Sequence, residues 1–419
     1  MESMKLRFRM ILLSAGLAIA ALASAQTTPP VQEQLTAETK SGVLSGIEQI
    51  LKERAFVPGL DFNKWDELVE KNKESFDNAN DERSFVNSVN RALREFGISH
   101  VGLRTPRAAS TRQTGRTSGL GMSTTKVDEG LRITQVVEES PAHQAGLAVG
   151  DVILTINGQK PEDLNALPTE DGQPATLTVR NATGEERTVP IVAGQYRTAR
   201  KDTLTWLDER TAVMRINSFS NGYSRSELQD MIKEANDKKA ESLIIDLRNN
   251  GGGAVSNLAH LLGLFLNEAE PVGTFVNRRT VTSFQEATKE EKIDLVKIAN
   301  WSDQKFKSTR PTVKRFEGKV VVLTNRGSAS ASEIFASAMK ETGRATIIGT
   351  ETRGAVLAST YGRLPGGFEL QYPVSDYVTL KGIRLEGNPW KPDIAVANAR
   401  TSDGKDAYFE AALEVFAKG

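Results

Sequence analysis

The chain has 419 residues, 39% hydrophobic and 25% charged, the balance of a globular protein with proper cores in more than one domain. Fifty-three basic residues match fifty-three acidic ones, so no domain-wide basic excess argues for a nucleic-acid partner. The absence of cysteine excludes disulfides, a thiol nucleophile and a cysteine-held zinc.

Lys5, Arg7 and Arg9 open the chain, the apolar "MILLSAGLAIAALA" (Met10–Ala23) follows, and Ala23-Ser24-Ala25 offers a cleavage site. A basic start, an apolar run too short to span a bilayer comfortably and small residues at its exit read as a secretory signal over 1–25. The mature chain is expected in a bacterial periplasm or outside the cell, with no stable membrane insertion. Residues 26–40, polar with Pro29-Pro30, read as a flexible lead.

Two stretches then repeat the helical period. Val43, Leu44, Ile47, Ile50 and Leu51 share one face, and Phe85, Val86, Val89, Leu93 and Phe96 share another, with Gly97 as a stop. Residues 26–105 are expected to be a helical domain ending in a strand that carries Ser99-His100. The polar "PRAASTRQTGRTS" predicts a linker over 106–118. Residues 119–195 alternate like strands between Gly and Asn turns, with one short helix. From 196 to 419 strands alternate with helices, the pattern of an α/β layer. The polar, charged 281–310 reads as an insertion over one face.

The chemistry concentrates in "KVVVLTN" followed by "GSASASEIFASAMKETG", a strand, a tight turn and a helix. A serine at such a turn stands exposed at the sheet end, beside N–H groups at the positive end of the helix. Acyl transfer needs both a presented nucleophile and preorganised oxyanion donors. "DLRNNGGG" (Asp246–Gly253) offers further donors, because glycines let a backbone approach a substrate oxygen closely. The bland alternative is that Ser330-Ala-Ser-Glu333 is only a capping box.

These motifs, "LIIDLRNNGGG" and "VVVLTNRGSASASEIFASAMKETGRATIIGTET", follow a segment with "SPAHQAGLAVGDVILTINGQ". In that order, over roughly 40–400, the chain resembles the carboxyl-terminal (tail-specific) processing peptidases, envelope serine endopeptidases that carry a PDZ domain. The resemblance implies a multidomain α+β fold: an N-terminal helical unit, a PDZ-like β domain over 119–195, and an α/β core of the ClpP/crotonase-like type over 196–419. It places the nucleophile on Ser330 and the oxyanion donors on the N–H groups of Ala331 and of Gly251 or Gly252. It implies polypeptide substrates, unfolded or with exposed C-termini, and neither metal nor cofactor. "GLGM", Gly119, Leu120, Gly121 and Met122, resembles the PDZ loop that holds a peptide C-terminus by backbone N–H groups. The helix that usually walls the peptide groove is expected to be short or missing, because "TEDGQPATLTV" follows "INGQKPEDLNALP" almost at once.

One position departs from the family. Where the usual members have a lysine base in T-x-G-K-G, this chain reads Thr352-Arg353-Gly354-Ala355-Val356. A methyl group accepts no proton, and the guanidinium of Arg353 keeps its own. Of the three histidines, His143 reads as solvated and His260 as packed or surface, while His100 opens a strand. Ser99-His100 resembles the Ser-His dipeptide of the related tricorn core protease, whose tetrad is completed by a glutamate before a "PD" segment. Glu386 in "RLEGNPWKPDIAV" occupies that context. The resemblance therefore implies Ser330 as nucleophile, His100 as base, and Glu386 with Ser99 orienting the imidazole. Lys381 in "TLKGIRLEG" is a weaker candidate, since exposed ammonium groups hold their protons near neutral pH. Two other readings stand beside this one: a pseudoprotease that binds peptides without cutting them, and an engineered knock-out of a lysine-dependent enzyme.

Overall fold

Helix α1 (Ala37–Glu53) is capped by Thr36 and α3 (Glu82–Leu93) by Asp81, with α2 (Trp65–Asp77) between them. Their apolar stripes meet at Ile47, Leu51, Trp65, Phe85, Val89 and Leu93, all fully buried. The computed structural model describes residues 35–162 and 166–418, so the signal-peptide reading of 1–25 lies outside the described residues. Leu35–Gly419 clusters as one unit.

The helical bundle is not a free-standing domain. Its apolar cluster includes Leu357, Leu364, Phe368, Leu370 and Tyr372 from the far end of the chain. Strand β1 (Gly102–Arg104) then joins the strand Glu369–Thr379 in antiparallel register, Leu103 opposite Leu370.

The polar stretch expected to be a linker is instead ordered secondary structure, helix α4 (Pro106–Thr114) and strand β2 (Arg116–Gly119). Thr105 caps the helix, Pro106 sits in its first turn and Gly115, at φ 67°, ends it. Only Ala109 of α4 is fully covered, so hydrophobic periodicity gives no sign of it. The helix is fastened by Arg112, which grips the buried carboxylate of Glu369 with two nitrogens at 2.6 and 2.7 Å.

Strands β3 (Met122–Val127), β4 (Gly130–Val136), β5 (Val152–Ile156), β6 (Pro174–Arg180) and β7 (Glu186–Val192) form an antiparallel sheet in sequence order. The short helix α5 (Pro141–Gln144) packs on it. Between β5 and β6 the described residues contain no α-helix; 163–165 lie outside them. β8 (Gly194–Arg197) pairs back with β2 as a two-stranded ribbon.

The rest is the expected α/β layer. β9 (Thr203–Trp206), β10 (Thr211–Arg215) and β11 (Ser242–Asp246) enter with helices α6 (Arg225–Asp237) and α7 (Val255–Gly263). Every residue of β11 is buried, as a strand covered on both faces must be. A second sheet contains β12 (Pro271–Asn277) and β13 (Phe306–Lys307). Between these two strands, helices α8 (Arg278–Thr288) and α9 (Leu295–Trp301) occupy the polar insertion and close over Val276, Val281, Phe284, Ile298 and Val378. β14 (Lys319–Thr324), α10 (Ala331–Glu341) and β15 (Thr346–Gly349) follow, then β16 (Ala358–Arg363), β17 (Glu369–Thr379), β18 (Ile394–Ala395) and α11 (Ala407–Lys418).

The larger sheet runs β18-β15-β14-β11-β10-β9, parallel except for β9; the smaller runs β1-β17-β12-β13, with β16 on β17. The C-terminal ends of β11 and β14 are adjacent, Asp246 opposite Leu323. The two Gly- and Ser-rich turns therefore emerge side by side.

Candidate active site

The three serines of the turn are not equivalent. Ser328 and Ser332 are fully buried, and their hydroxyls donate to Leu247 O at 2.8 Å and Asn250 O at 2.9 Å. They fasten the serine turn to the glycine loop. Ser330 is partly exposed and its backbone sits at φ 56°, ψ −118°, outside the extended conformation of an ordinary helix cap. Such a backbone costs about 1–3 kcal/mol in a residue with a side chain. A strained serine where a strand turns into a helix presents its hydroxyl away from the sheet.

Gly252 crosses directly in front of it. A Cβ there would lie 2.7 Å from Ser330 Cβ and 2.7 Å from Ala329 O, and φ is +89°. Gly252→Ala is therefore expected to cost about 1–3 kcal/mol of stability and to disturb the serine directly. Urea unfolding and substrate turnover measured together would check both effects. The N–H of Gly252 donates to Asn250 Oδ1 at 2.9 Å, and Asn250, buried, donates in turn to Ile216 O. That removes Gly252 from the expected oxyanion donors. The N–H groups of Gly251 and Ala331 make no hydrogen bond among the described residues.

Behind the turn lies a group that sequence reasoning treated only as a cap. Glu333 is fully buried and its carboxylate accepts four hydrogen bonds: from Thr352 Oγ1 (2.5 Å), Gly354 N (2.7 Å), Ala355 N (2.9 Å) and Ser330 N (3.0 Å). It welds the 352–355 loop to the serine turn. Arg353 N donates to Ser328 O and Ser330 N to Ala355 O at 2.9 Å, completing the clamp. The available signal was a lone carboxylate within the otherwise uncharged "ASEIFASAM".

Ala355, standing at the family's lysine position, thus lies against the backbone of Ser330. Its neighbour Val356 donates its N–H to Glu386 Oε2 at 2.9 Å. Glu386 is 6% exposed and also accepts from Ser99 N at 2.7 Å and from Ser99 Oγ at 2.8 Å. Ser99 Oγ lies 2.6 Å from His100 Nδ1. With the Ser99 proton given to Glu386, the imidazole donates Nδ1–H to Ser99, which leaves Nε2 as the basic nitrogen. His100 itself adopts φ 57°. Burial is the main force lowering its pKa below the usual histidine value; the Glu386 charge opposes this and the Arg353 charge adds to it. Two consecutive residues, Ala355 and Val356, therefore bind the serine turn on one side and the Glu386-Ser99-His100 chain on the other.

The other candidates fall elsewhere. His143 is exposed on α5. His260 is buried on α7, 2.9 Å from the Tyr223 hydroxyl, with a pKa pushed down to about 4, chiefly by burial. Lys381 is exposed in the turn after β17, its N–H bonded to Glu341.

At the β-domain loop, Gly119 ends β2 and Met122 begins β3, which lies at the edge of its sheet among the described residues. Gly121, at φ +75°, packs so closely on Ser140 that a Cβ would come within 2.1 Å of it. Leu120 is buried and its carbonyl accepts from Ala142 N.

Comparison with known proteins agrees with this architecture. Residues 210–396 match the model of peptidase family S41, and residues 132–180 match a PDZ domain. A probable CtpA-like serine protease of Staphylococcus haemolyticus is 27% identical over 286 residues, covering 67% of this chain and 53% of the relative. Its counterpart in Staphylococcus aureus (strain COL) is 26% identical over 284 residues, covering 66% and 52%. The chain thus spans about half the length of the curated relatives it matches. Among solved structures, mature CPAF complexed with lactacystin shares the fold at a TM-score of 0.50 and 15% identity, over 91% of this chain and 97% of that one. A lipoprotein from Streptococcus agalactiae does so at 0.50 and 12% identity, over 91% and 96%. Two adjoining motif loops, a PDZ domain ahead of them and these relatives lead to one assignment: residues 210–396 are a peptidase family S41 domain, and the chain is similar to the carboxyl-terminal processing peptidases.

Proposed function

We propose that the protein is an exported serine endopeptidase that cuts unfolded or C-terminally exposed polypeptides through an acyl-enzyme on Ser330, with His100 as base. The observation that carries this reading is the unbroken chain from Glu386 through Ser99 to His100 Nδ1. It keeps the basic nitrogen free and supports the imidazolium that forms on proton transfer. In the first step Ser330 Oγ attacks the scissile carbonyl while His100 Nε2 takes its proton. The oxyanion is met by the N–H groups of Ala331 and Gly251. The imidazolium then protonates the leaving amine, and water, deprotonated by the same nitrogen, releases the acyl group. No step needs the missing lysine.

The PDZ loop, Gly119 to Met122, would hold the substrate C-terminus while the peptide adds beside β3. Among the described residues no helix is long and apolar enough to cross a membrane. Export rests on the sequence of residues 1–25, and fractionation of cells expressing the full chain would test it.

A pseudoprotease is favoured by one observation, the methyl group of Ala355 against the serine backbone. Labelling with a fluorophosphonate separates the two readings. Ser330 is expected to be modified in the native protein and not in the Ser330→Ala variant. An unlabelled native protein that still binds peptide would establish the pseudoprotease.

A further inference from the structure

Helix α4 forms one wall of an open cleft of about 480 Å3, whose opposite side is made by Thr198 and Asn221. Three arginines, Arg104, Arg107 and Arg112, line it. Their electrostatic balance is unequal. Arg112 is neutralised by Glu369 and lies over the Tyr361 ring at 3.9 Å. Neither Arg104 nor Arg107 makes a salt bridge among the described residues. Three guanidinium groups therefore face one carboxylate.

Arg104 is the sharper anomaly. It is half-buried; one terminal nitrogen donates to Gln371 Oε1 at 3.1 Å, and its Nε is buried with no partner among the described residues. A buried donor without an acceptor is expensive, and an arginine fork presents its donors in the geometry that matches an oxyanion. Arg107 is exposed and bonded to Ser118 O, with its nitrogen 3.7 Å from where a Cβ of Gly119 would sit. The cleft therefore adjoins the start of the PDZ loop. Thr111 and Thr198 also line it, their hydroxyls donating to Arg107 O and Gly115 O.

We propose that this cleft binds an oxyanion between Arg104 and Arg107, and that the natural source is the free C-terminal carboxylate of a polypeptide. The source, though not the binding, rests on the peptidase reading above. The site supplies what the neighbouring PDZ groove lacks, since no α-helix lies between β5 and β6 among the described residues. Small oxyanions such as phosphate carry the same chemistry and are the competing source.

The test is calorimetric titration of the full chain carrying Ser330→Ala, which binds without turnover. The probes are an acetylated alanine pentapeptide with a free carboxylate, the same peptide amidated, and inorganic phosphate. The free acid is expected to bind at least tenfold more tightly than the amide. Arg107→Ala and Arg104→Lys should each weaken it at least tenfold. Arg107 is exposed, so its variant should melt at the native temperature and report on binding alone. Arginine-dependent binding of phosphate with no binding of the acid would keep the site and replace the peptide source by a small anion. Absence of binding by all probes, or binding that neither variant weakens, would overturn the proposal. Neither of those results would touch Ser330 labelling, so the two readings fail separately.

Discussion

His100→Ala is expected to lower kcat/KM by about four to six orders of magnitude with the fold intact, and Ser330→Ala to do the same. Because the two residues act as one unit, the double variant should be scarcely worse than either single one. The pH dependence carries the finer information. A general base works only when neutral, so activity must fall as pH drops through the pKa that His100 has in the folded protein. Burial holds that pKa below the ordinary histidine range, and the nearby Arg353 adds to the effect. The acid limb of kcat/KM should therefore lie below about pH 6.5, the unperturbed value. Removing the Arg353 charge by Arg353→Gln should move that limb upward. A limb in the alkaline range that survives His100→Ala would instead indicate a lysine base. Steady-state cleavage of an unfolded protein across the pH range decides between them.

Glu333→Gln should be the most damaging substitution that leaves every reacting group in place. The carboxylate takes all four of its hydrogen bonds from donors. An amide offers one oxygen and turns its own donors toward the others, leaving N–H groups buried and unmet. Each unmet group costs about 1–3 kcal/mol, so a loss of about 2–5 kcal/mol is expected. Urea denaturation would read it as a lowered midpoint at unchanged slope. Turnover should fall as well, because the same carboxylate holds Ser330 N and Ala355 N. A variant of native stability and activity would show that the clamp is dispensable.

The sequence spoke most clearly where chemistry and periodicity coincide. The buried strand "SLIID", the apolar faces of α1 and α3, and the alternation of strands and helices after 196 all carry a hydrophobic signature. Helix α4 does not. It is built from cap, proline and glycine chemistry around a single buried alanine, and its anchor, the Arg112–Glu369 pair, spans 257 residues. The two helices of the 281–310 segment were hidden for a similar reason, since their small apolar layer includes Val276 and Val378 from outside it. At the site, the residue types that motifs can mark were legible. What was not legible is which serine hydroxyls are spent on the scaffold, that Asn250 takes the N–H of Gly252, and that Glu333 faces inward to four donors. Those are properties of adjacent turns in space, and no local pattern encodes them.

The joining of β1 to β17 also bears on when, during synthesis, such a chain could first cut a bond. The turn bearing Ser330 can form once β14 and α10 have been made. Ser99 and Glu386, however, stand 287 residues apart, and the imidazole beside Ser99 is oriented only when that distance closes. Until the ribosome has passed residue 386 and the N-terminal helices have found Leu364, Phe368 and Leu370, the nascent chain holds Ser330 without the imidazole that the proposed mechanism needs in place. On the proposed mechanism, a chain assembled this way stays silent during its own translation, because the nucleophile is made long before the contact that would arm it can close.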